Sequence, residues 1–537
     1  PDAVAHHLRQ AGDSRAVEWL AKAGERAIAA YSYVIASQRY EAALELTTEA
    51  HERGWILHRI GLLLRYFDPG RGVQYLTEAR QAAEQTGDPV LRAFAIADAG
   101  LVSCLGGETL RGLPLLAEGV DLIDRLGPGD LESLRNARSK MIDPGALAAL
   151  ARATGGNETS WNPRRGMYAL WLAMLGHLAD ARAVGEAAIA ESAAVPVPDN
   201  PVLPSPLANA WKSLGLAYAY TGQADDADEA FSVAKDLHAS EHHYSQIAAA
   251  AINQLRNVAL PLRTTDVELR HRLIGVIEKS SAQSRGSLSA DDWIDFGRVP
   301  VQCLEGAWSN VRAIGDRMML HFSGLSYVAL ADACIVARSQ GRDGNAWDMI
   351  RLVLPDESAS KLGQLQLWAG VQLQQVAVEL ALDAANLPLA SEWIGAHERW
   401  LDQSGATVYR PHHELLLARY ERVAGRPERA LAHAQRALEL ALDPAQPLVI
   451  IAARRMLGEL LTASGRHAEA ADHLQQALSL ADSCAAPFER ALTLVAQAEL
   501  AIATDDDPAP LIAEAREICE RLDARPTLDR INALIPS

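Results

Sequence analysis

The sequence predicts an all-α fold, a right-handed superhelix (α-solenoid) of about a dozen helix pairs, and three observations favour it. The chain has 537 residues, more than one hydrophobic core usually serves, so it holds several domains or an array without a single centre. Apolar residues make up 49% but aromatic residues only 5%, and helix formers such as Ala, Leu and Glu dominate. A pattern of small and large residues also recurs at intervals near 40 residues.

The clearest helix pair lies in the stretch ANAWKSLGLAYAYTGQADDADEAFSVAKDL. Gly222 is expected to end the first helix in the left-handed conformation, which carries no side-chain penalty for glycine. Ala227, Phe231 and Ala234 resume the pattern on a second, antiparallel helix. We expect Gly215 and Ala227 to let the two helix backbones approach closely, so the spacing encodes packing.

This pair resembles the tetratricopeptide repeat, whose succession of Trp, Leu, Gly, Tyr, Ala, Phe and Ala is matched at seven positions. Further copies of the pattern occur along the chain: Ala36, Tyr40 and Ala43; Gly100, Gly112 and Leu116; Gly176 and Ala181; Gly341 and Ala346; Gly425, Ala430, Ala434 and Ala437; Gly465, Ala470, Leu474 and Ala477. Ala390, Ala430 and Ala470 follow each other at steps of 40 residues. This step exceeds the 34 residues of the minimal repeat, so we expect longer helices or fuller loops. The resemblance implies that the first helix of each pair lines the inner surface of the superhelix.

Four regions are expected: N-terminal repeats at 1–126, an irregular segment or insertion at 127–163, central repeats with a candidate ligand surface at 164–404, and C-terminal repeats at 405–537. Whether residues 113–180 hold a degenerate repeat or an insertion stays open. Glycine and proline content predicts loops at Thr154–Pro163 and Ala193–Pro206. Predicted helices include Ser245–Leu260, Val267–Ser281, Pro300–Arg317 and Lys361–Leu380.

Charge and cysteine usage exclude several classes of function. The formal charge is −18, so the chain is not expected to bind nucleic acid. The five cysteines lie far apart without a CxxC motif, which fits a reducing, cytoplasmic location. No apolar run long enough to span a membrane occurs. The first residue is Pro1 instead of Met, and we expect more protein upstream.

The sequence offers no sign of catalysis. It contains no GxxxxGK[ST], GxSxG, HExxH or GxGxxG motif, so we expect no enzyme activity, no catalytic or metal-binding residue and no cofactor in this chain. His242 and His243 are adjacent, and adjacent residues on a helix diverge by about 100°, so they are not expected to chelate one ion.

A ligand is expected to contact polar and aromatic residues of the inner surface. The candidate residues are Asn209, Lys212, Tyr220, Gln246, Asn253, Asn257, Trp368, Gln372 and Gln375. Amides donate and accept hydrogen bonds and an indole ring offers a flat apolar face, which suits a neutral hydroxyl-rich or peptide-like ligand. The alternative is that Gln, a good helix former, simply lies on solvated helix faces.

Both ends of the chain carry a further resemblance. The opening HHLRQAGDSRAVEWLAKAGERAIAAYSYVIASQRYEAALEL and the ending LIAEAREICERLDARPTLDRINALI are similar to the two ends of the repeat region in large LuxR-type, maltose-activator-like regulators with a signal-transducing (STAND-class) ATPase module. The resemblance implies a sensor arm to which a small-molecule inducer or a protein binds in the superhelix groove. ATP would then bind only in a missing N-terminal domain, a helix-turn-helix would follow the chain, and the full-length parent would self-associate.

Two other interpretations stay open. The first is a free-standing tetratricopeptide scaffold that binds a peptide or a protein partner. The second, less favoured, is a domain that uses a chamber between repeats for catalysis. The sequence does not identify the inducer or partner, the target promoter or the oligomeric state.

Overall fold

A computed structural model describes residues 1–29, 32–65, 67–127, 129–130, 162, 164–192, 205–284, 290–321 and 326–534. These residues form 26 α-helices and no β-strand. Helices that follow each other in the chain pack together from residue 2 to 192 and again from residue 308 to 533. The predicted all-α solenoid of tetratricopeptide-like helix pairs is therefore confirmed. Most of the two predicted loops, and most of the segment 127–163, lies outside the described residues. None of the helices in the described part of the chain is long and apolar enough to cross a membrane.

The chain divides into two compact units. Unit 1 comprises Pro1–Ala217, Glu229–Ala250 and Glu278–Trp293, and unit 2 comprises Tyr218–Asp228, Ala251–Ile277 and Ile294–Ser537. The helices of unit 1 alone are α1 (Asp2–Gln10), α2 (Ala16–Ala29), α3 (Tyr33–Leu46), α4 (Ala50–Leu64), α5 (Pro69–Thr86), α6 (Pro89–Leu105), α7 (Thr109–Asp124), α8 (Arg165–Met174) and α9 (Leu178–Ser192). Residues of both units occur in α10 (Pro206–Tyr220), α11 (Ala224–Ser240), α12 (Tyr244–Gln254), α13 (Val267–Gln283) and α14 (Ala290–Glu305).

The remaining helices belong to unit 2. They are α15 (Trp308–Leu320), α16 (Tyr327–Ser339), α17 (Asp343–Val353), α18 (Leu367–Asp383), α19 (Leu387–Ser404), α20 (Arg410–Val423), α21 (Pro427–Leu442), α22 (Pro447–Ala463), α23 (His467–Ser483), α24 (Pro487–Ala503), α25 (Ala509–Leu522) and α26 (Arg525–Ala533). Two short 3₁₀ turns, Glu357–Ala359 and Thr407–Tyr409, and a π-helical turn at Leu255–Ala259 complete the described secondary structure.

Close helix contact in unit 1 depends on small residues. A Cβ atom added to Gly100 on α6 would lie 2.3 Å from the backbone nitrogen of Leu116 and 2.6 Å from the carbonyl oxygen of Gly112, both on α7. Only hydrogen fits at that crossing, which is what the predicted small positions require. Large side chains such as Trp55 and Phe94 fill the core beside it and are fully buried.

Unit 2 shows the repeat most clearly between α20 and α23. Gly425 and Gly465 adopt positive φ angles of 72° and 76°, so each first helix ends in the left-handed turn that the sequence predicts. Ala430 and Ala470 are fully buried on the second helices. The helices α21, α22 and α23 have 16, 17 and 17 residues and short connections, so the 40-residue step reflects longer helices instead of longer loops.

First helices of successive pairs in unit 2 also contact each other, as α16 with α18, α18 with α20, α20 with α22 and α22 with α24. Their side chains therefore form one continuous surface across the pairs. Residues distant in sequence meet in this unit as well. The Nε2 atom of Gln340 donates to the carbonyl oxygen of Leu522 at 3.0 Å. A guanidinium nitrogen of Arg270 donates to the carbonyl oxygen of Cys484 at 3.1 Å.

Two predicted helices are wrong in extent. The predicted helix Pro300–Arg317 is two helices, α14 and α15, because Gly306 has a φ of 85° and ends the first of them. The predicted helix Lys361–Leu380 begins only at Leu367, because Gly363 has a φ of 92° and the chain before Leu367 is a turn.

Candidate functional site

The nine residues predicted to contact a ligand are distributed over both units. Unit 1 holds Asn209, Lys212 and Gln246, and unit 2 holds Tyr220, Asn253, Asn257, Trp368, Gln372 and Gln375. Five are buried: Asn209, Lys212, Tyr220, Asn257 and Trp368. Four are partly exposed: Gln246, Asn253, Gln372 and Gln375. The buried five lie among other side chains instead of on an open wall, and a ligand-binding role for all nine stays a prediction.

Lys212 and Asn209 bring polar groups into the interior of unit 1. The Lys212 ammonium donates a hydrogen bond of 2.8 Å to Oε1 of Gln246 on α12. Burial lowers the pKa of Lys212 to about 7. Both amide atoms of Asn209, one turn earlier on α10, are buried, and they have no hydrogen-bond partner within the described part of the chain. Helical phase predicted an inward direction for these side chains, but not that α12 would cover them.

Arg256 lies in the π-helical turn that follows α12, a kind of turn that is often found at functional positions. Its Nη2 atom donates to the carbonyl oxygens of Phe296 and Val328, each at 3.0 Å. The Phe296 carbonyl is available because Pro300, four residues later inside α14, has no N–H group to donate to it. Arg256 therefore supplies the hydrogen bond that Pro300 cannot donate to the Phe296 carbonyl.

The same arginine organises two of the predicted ligand residues. Nη1 of Arg256 lies 2.8 Å from a carboxylate oxygen of Asp332, and the other carboxylate oxygen accepts from Nε2 of Gln372 at 3.1 Å. The guanidinium group stacks over the ring of Trp368 at 4.3 Å, and the Trp368 indole nitrogen donates to Gln366 at 2.7 Å. A protein cation thus occupies the ring face that the sequence suggested for a ligand.

The remaining predicted amides form local contacts. The Asn257 amide nitrogen donates to the carbonyl oxygen of Asn253 at 2.9 Å. Nε2 of Gln375 lies 3.4 Å from Nε2 of His397, and Nδ1 of His397 lies 2.9 Å from Nδ1 of His413. Burial lowers the pKa of both histidines, so the two rings are neutral and one Nδ1–H can donate to the other nitrogen.

A polar surface of unit 2 lies on its first helices α16, α18, α20, α22, α24 and α26. We call it the first-helix face and define it by Gln372, Gln375 and ten charged residues: Arg338, Glu379, Asp383, Arg419, Arg422, Arg455, Glu459, Glu489, Glu499 and Arg530. The side chains of the charged residues are between 10% and 38% exposed. Five arginines and five carboxylates balance each other, so the charged part of this face has no formal net charge.

Glu459 on α22 lies at the centre of one group of these charges. It pairs with Arg422 on α20 and with Arg530 on α26, the latter at 2.9 Å. Burial acts to raise the pKa of Glu459, but the charges of Arg530, Arg422 and Arg455 outweigh it and lower the pKa to about 2. Arg530 also pairs with Glu499 at 2.7 Å, so one network joins four first helices.

A second group joins α16, α18 and α20. Arg338 lies 2.8 Å from Glu379 and 2.7 Å from Asp383, and Arg419 pairs with both carboxylates, at 2.9 Å with Asp383. Such partly exposed networks fix side-chain geometry more than they add stability. The glutamines of this face are predictable from the sequence, but its charges are not, because they become neighbours only when successive repeats stack.

A second cluster that the sequence analysis missed lies in unit 1, at the turn between α11 and α12. His238, Glu241 and His243 each offer one ligand atom, and these atoms lie within 4.8 Å of one another. Burial, with the charges of Lys212 and His243, lowers the pKa of His238 far below its usual value, so the ring is neutral. The signal in the sequence is the spacing His-x2-Glu-x-His, which the comparison of adjacent histidines alone does not detect.

Buried thiols do not supply a nucleophile at neutral pH. Burial raises the pKa of Cys104 to about 12 and that of Cys519 to about 11. Burial also raises the pKa of Cys484 to about 11. The thiolate is the reactive form of cysteine, so these three side chains are chemically inert where they lie.

The tetratricopeptide-repeat family profile matches residues 409–483, which are the helices α20 to α23. The match shows tetratricopeptide repeats at residues 409–483, and the other helix pairs are tetratricopeptide-like in fold. Similar solved structures include the APC/C hetero-tetramer Cut9-Hcn1, at 13% identity, 96% coverage of both chains and a TM-score of 0.35. Yeast Tom70 is similar at 15% identity, 96% coverage of this chain, 95% of the other and a TM-score of 0.25. Neither likeness bears on function, and no curated protein matches the sequence.

Proposed function

We propose that this chain is an interaction scaffold that binds a peptide or protein segment on the first-helix face of unit 2. The observation that carries the proposal is a stripe on α18 formed by Gln372, Gln375, Glu379 and Asp383. Steps of three and four residues set these side chains on one side of the helix. All four are partly or fully exposed, and every residue between them is buried. Neighbouring first helices extend the stripe into a surface wider than one helix.

The chemistry of this face favours a peptide over a strongly charged ligand. Amides donate and accept hydrogen bonds, as a peptide main chain also does. The charged residues pair with each other and balance, so they do not attract phosphate chains as clustered lysines and arginines would. A peptide with alternating acidic and basic side chains can exchange partners with these pairs at little electrostatic cost.

Peptide selection on the immobilised chain tests the proposal, followed by calorimetric measurement of Kd for the selected sequences. The double substitution Gln372→Ala and Gln375→Ala should weaken binding about five- to thirtyfold, since loss of one or two interface hydrogen bonds costs roughly 1–2 kcal/mol. Gln81→Ala, at an exposed glutamine of α5 in unit 1, is the matched control and should leave Kd unchanged. Selection of no peptide, or equal Kd values for the double variant and the control, would refute the proposal.

A second candidate function is the sensor arm of an ATP-dependent LuxR-type transcription activator, and the similarity of both chain ends to those regulators favours it. The ligand would then be an inducer or a partner protein, and its preference for one conformation of the repeats would shift their population. The complete reading frame tests this assignment. A phosphate-binding loop upstream and a helix-turn-helix downstream support it, and a start codon directly before Pro1 refutes it.

The two kinds of ligand are separable by thermal shift. A small molecule present at 100 times its Kd stabilises the folded chain by about 2.7 kcal/mol. A shift with a sugar or another metabolite that the Gln372→Ala, Gln375→Ala variant loses would support a small-molecule inducer on the first-helix face. A shift only with the selected peptide supports the scaffold.

A further inference from the structure

The turn between α11 and α12 in unit 1 gathers three potential metal ligands within six residues. His238 lies in the last turn of α11, and Glu241 and His243 follow in the connection. One ligand atom from each lies within 4.8 Å of the other two. The cluster therefore needs only small side-chain adjustments to bind a single ion.

The burial of His238 is a second, independent observation that points to a ligand. It is fully buried, and neither of its ring nitrogens has a hydrogen-bond partner among the residues that the structure describes. Buried polar side-chain atoms almost always have a partner in the protein, an ordered water or an ion. Glu241 and His243 are 19% and 9% exposed in their side chains, so the open side of the cluster faces solvent through Glu241.

One pair of ligand atoms in the cluster already has the spacing of a tetrahedral site. Oε2 of Glu241 lies 3.3 Å from Nδ1 of His243. Zinc bonds to nitrogen and oxygen are about 2.0–2.2 Å long, and two ligands at a tetrahedral angle are then roughly 3.3–3.5 Å apart. We propose that His238, Glu241 and His243 bind a divalent transition-metal ion of the zinc class, with the fourth position open to water.

The backbone holds the ligands in this arrangement. His242 adopts the left-handed conformation with a φ of 58°, and the amide of His243 donates to the carbonyl oxygen of His238 at 2.9 Å. This tight turn brings His243 back toward His238, while the side chain of His242 is exposed. Lys212 is the nearby cation and opposes metal binding, but its ammonium is hydrogen-bonded to Gln246. An ion at this turn would tie the end of α11 to the start of α12.

Calorimetry of the full chain with Zn²⁺, after dialysis against a chelator, tests the proposal directly. We expect one Zn²⁺ per chain, a rise in the melting temperature, and ligand-field absorption when Co²⁺ replaces Zn²⁺. Glu241→Gln and His243→Gln should each weaken Zn²⁺ binding by at least about 100-fold, the upper end of what loss of a supporting partner alone does. His242→Asn removes the adjacent histidine, keeps a residue that tolerates the left-handed turn, and should bind like the wild type.

Three results would each overturn the proposed metal site. Absence of stoichiometric binding to the wild-type chain, unchanged affinity in Glu241→Gln and His243→Gln, or equal loss in His242→Asn would overturn the proposal. Far-ultraviolet circular dichroism of each variant separates loss of a ligand from loss of the fold, and Glu241 is exposed enough for its substitution to leave packing intact. The metal site is independent of the peptide-binding proposal, because Zn²⁺ affinity is measured without a partner and on unit 1.

Discussion

Replacing Asp98 with asparagine should destabilise unit 1 strongly. Asp98 on α6 is fully buried and accepts hydrogen bonds of 2.6 and 2.8 Å from Arg164, while its second oxygen also lies 2.8 Å from Nε2 of His58. The substitution keeps the shape of the side chain but leaves the Arg164 guanidinium, only 2% exposed, without its counter-charge. Removing one partner of a buried ion pair costs about 3–5 kcal/mol, which we expect for Asp98→Asn.

The pH dependence of the unfolding free energy gives a second measure of how much the Asp98 interactions stabilise unit 1. Burial acts to raise the pKa of Asp98, but Arg164 and His58 outweigh it and lower the pKa from 3.8 to about 2. A lowered carboxyl pKa adds stability that is fully present above pH 3.8 and is lost as the pH falls toward 2. Each pKa unit corresponds to about 1.4 kcal/mol, so the difference is worth about 2–3 kcal/mol.

Urea unfolding followed by circular dichroism at neutral pH measures the first effect, and the same titration at successively lower pH measures the second. Asp121→Asn is the control, because Asp121 pairs with Arg125 at 2.6 Å but both side chains are more than half exposed. The control should cost less than about 1 kcal/mol. Adding Arg164→Met to Asp98→Asn should restore much of the loss. A cost for Asp98→Asn no greater than that of Asp121→Asn would refute the reasoning.

Three further substitutions probe the packing of the repeats, each measured by urea unfolding. Gly100→Ala should cost roughly 1–3 kcal/mol, because its Cβ would lie 2.3 Å from the Leu116 nitrogen and must push α6 from α7; no loss would mean that the helices separate freely. Ala227→Leu should overpack a fully buried position at a similar cost of roughly 1–3 kcal/mol, and a neutral result would contradict the assigned repeat phase. Arg256→Met should cost about 3–5 kcal/mol by leaving the buried Asp332 carboxylate without its counter-charge, and adding Asp332→Leu should recover stability. A double variant as unstable as the single one would contradict this.

Local rules predicted the helix pairs well. A helix-ending glycine and an alanine five residues later depend on the backbone conformation and on one helix crossing, and both are encoded within a few residues. Gly425 with Ala430 and Gly465 with Ala470 illustrate this, since the glycines are left-handed and the alanines are fully buried. The same rule applies to helix boundaries. Gly306 has a positive φ angle and separates α14 from α15, so a glycine within a predicted helix should be treated as a possible helix end.

Positions that depend on distant partners were beyond the same rules. Helical phase assigned Lys212 a direction, but its hydrogen bond to Gln246 joins residues 34 apart in sequence, a contact that exists only when the helices are stacked. The charges around Glu459 come from helices up to 71 residues away in sequence, so no single repeat shows them as a group. His238 meets His243 through the left-handed turn at His242, a conformation that is uncommon for residues other than glycine and that no pattern of helix formers indicates.

The hydrogen bond between the Gln340 side chain and the Leu522 carbonyl affects the order in which the helices of unit 2 can fold. A strictly linear repeat array contacts only its nearest neighbours, so each pair can fold as soon as it leaves the ribosome. Here the end of α16 receives a buried hydrogen-bond partner that is synthesised 182 residues later. In a nascent chain that stops before α25, the Gln340 amide lacks this partner. The amide then stays buried without a hydrogen bond, or the end of α16 frays and exposes it, and either state lowers stability. The C-terminal helices therefore complete a helix near the start of unit 2, and truncating them would weaken the chain far from the cut.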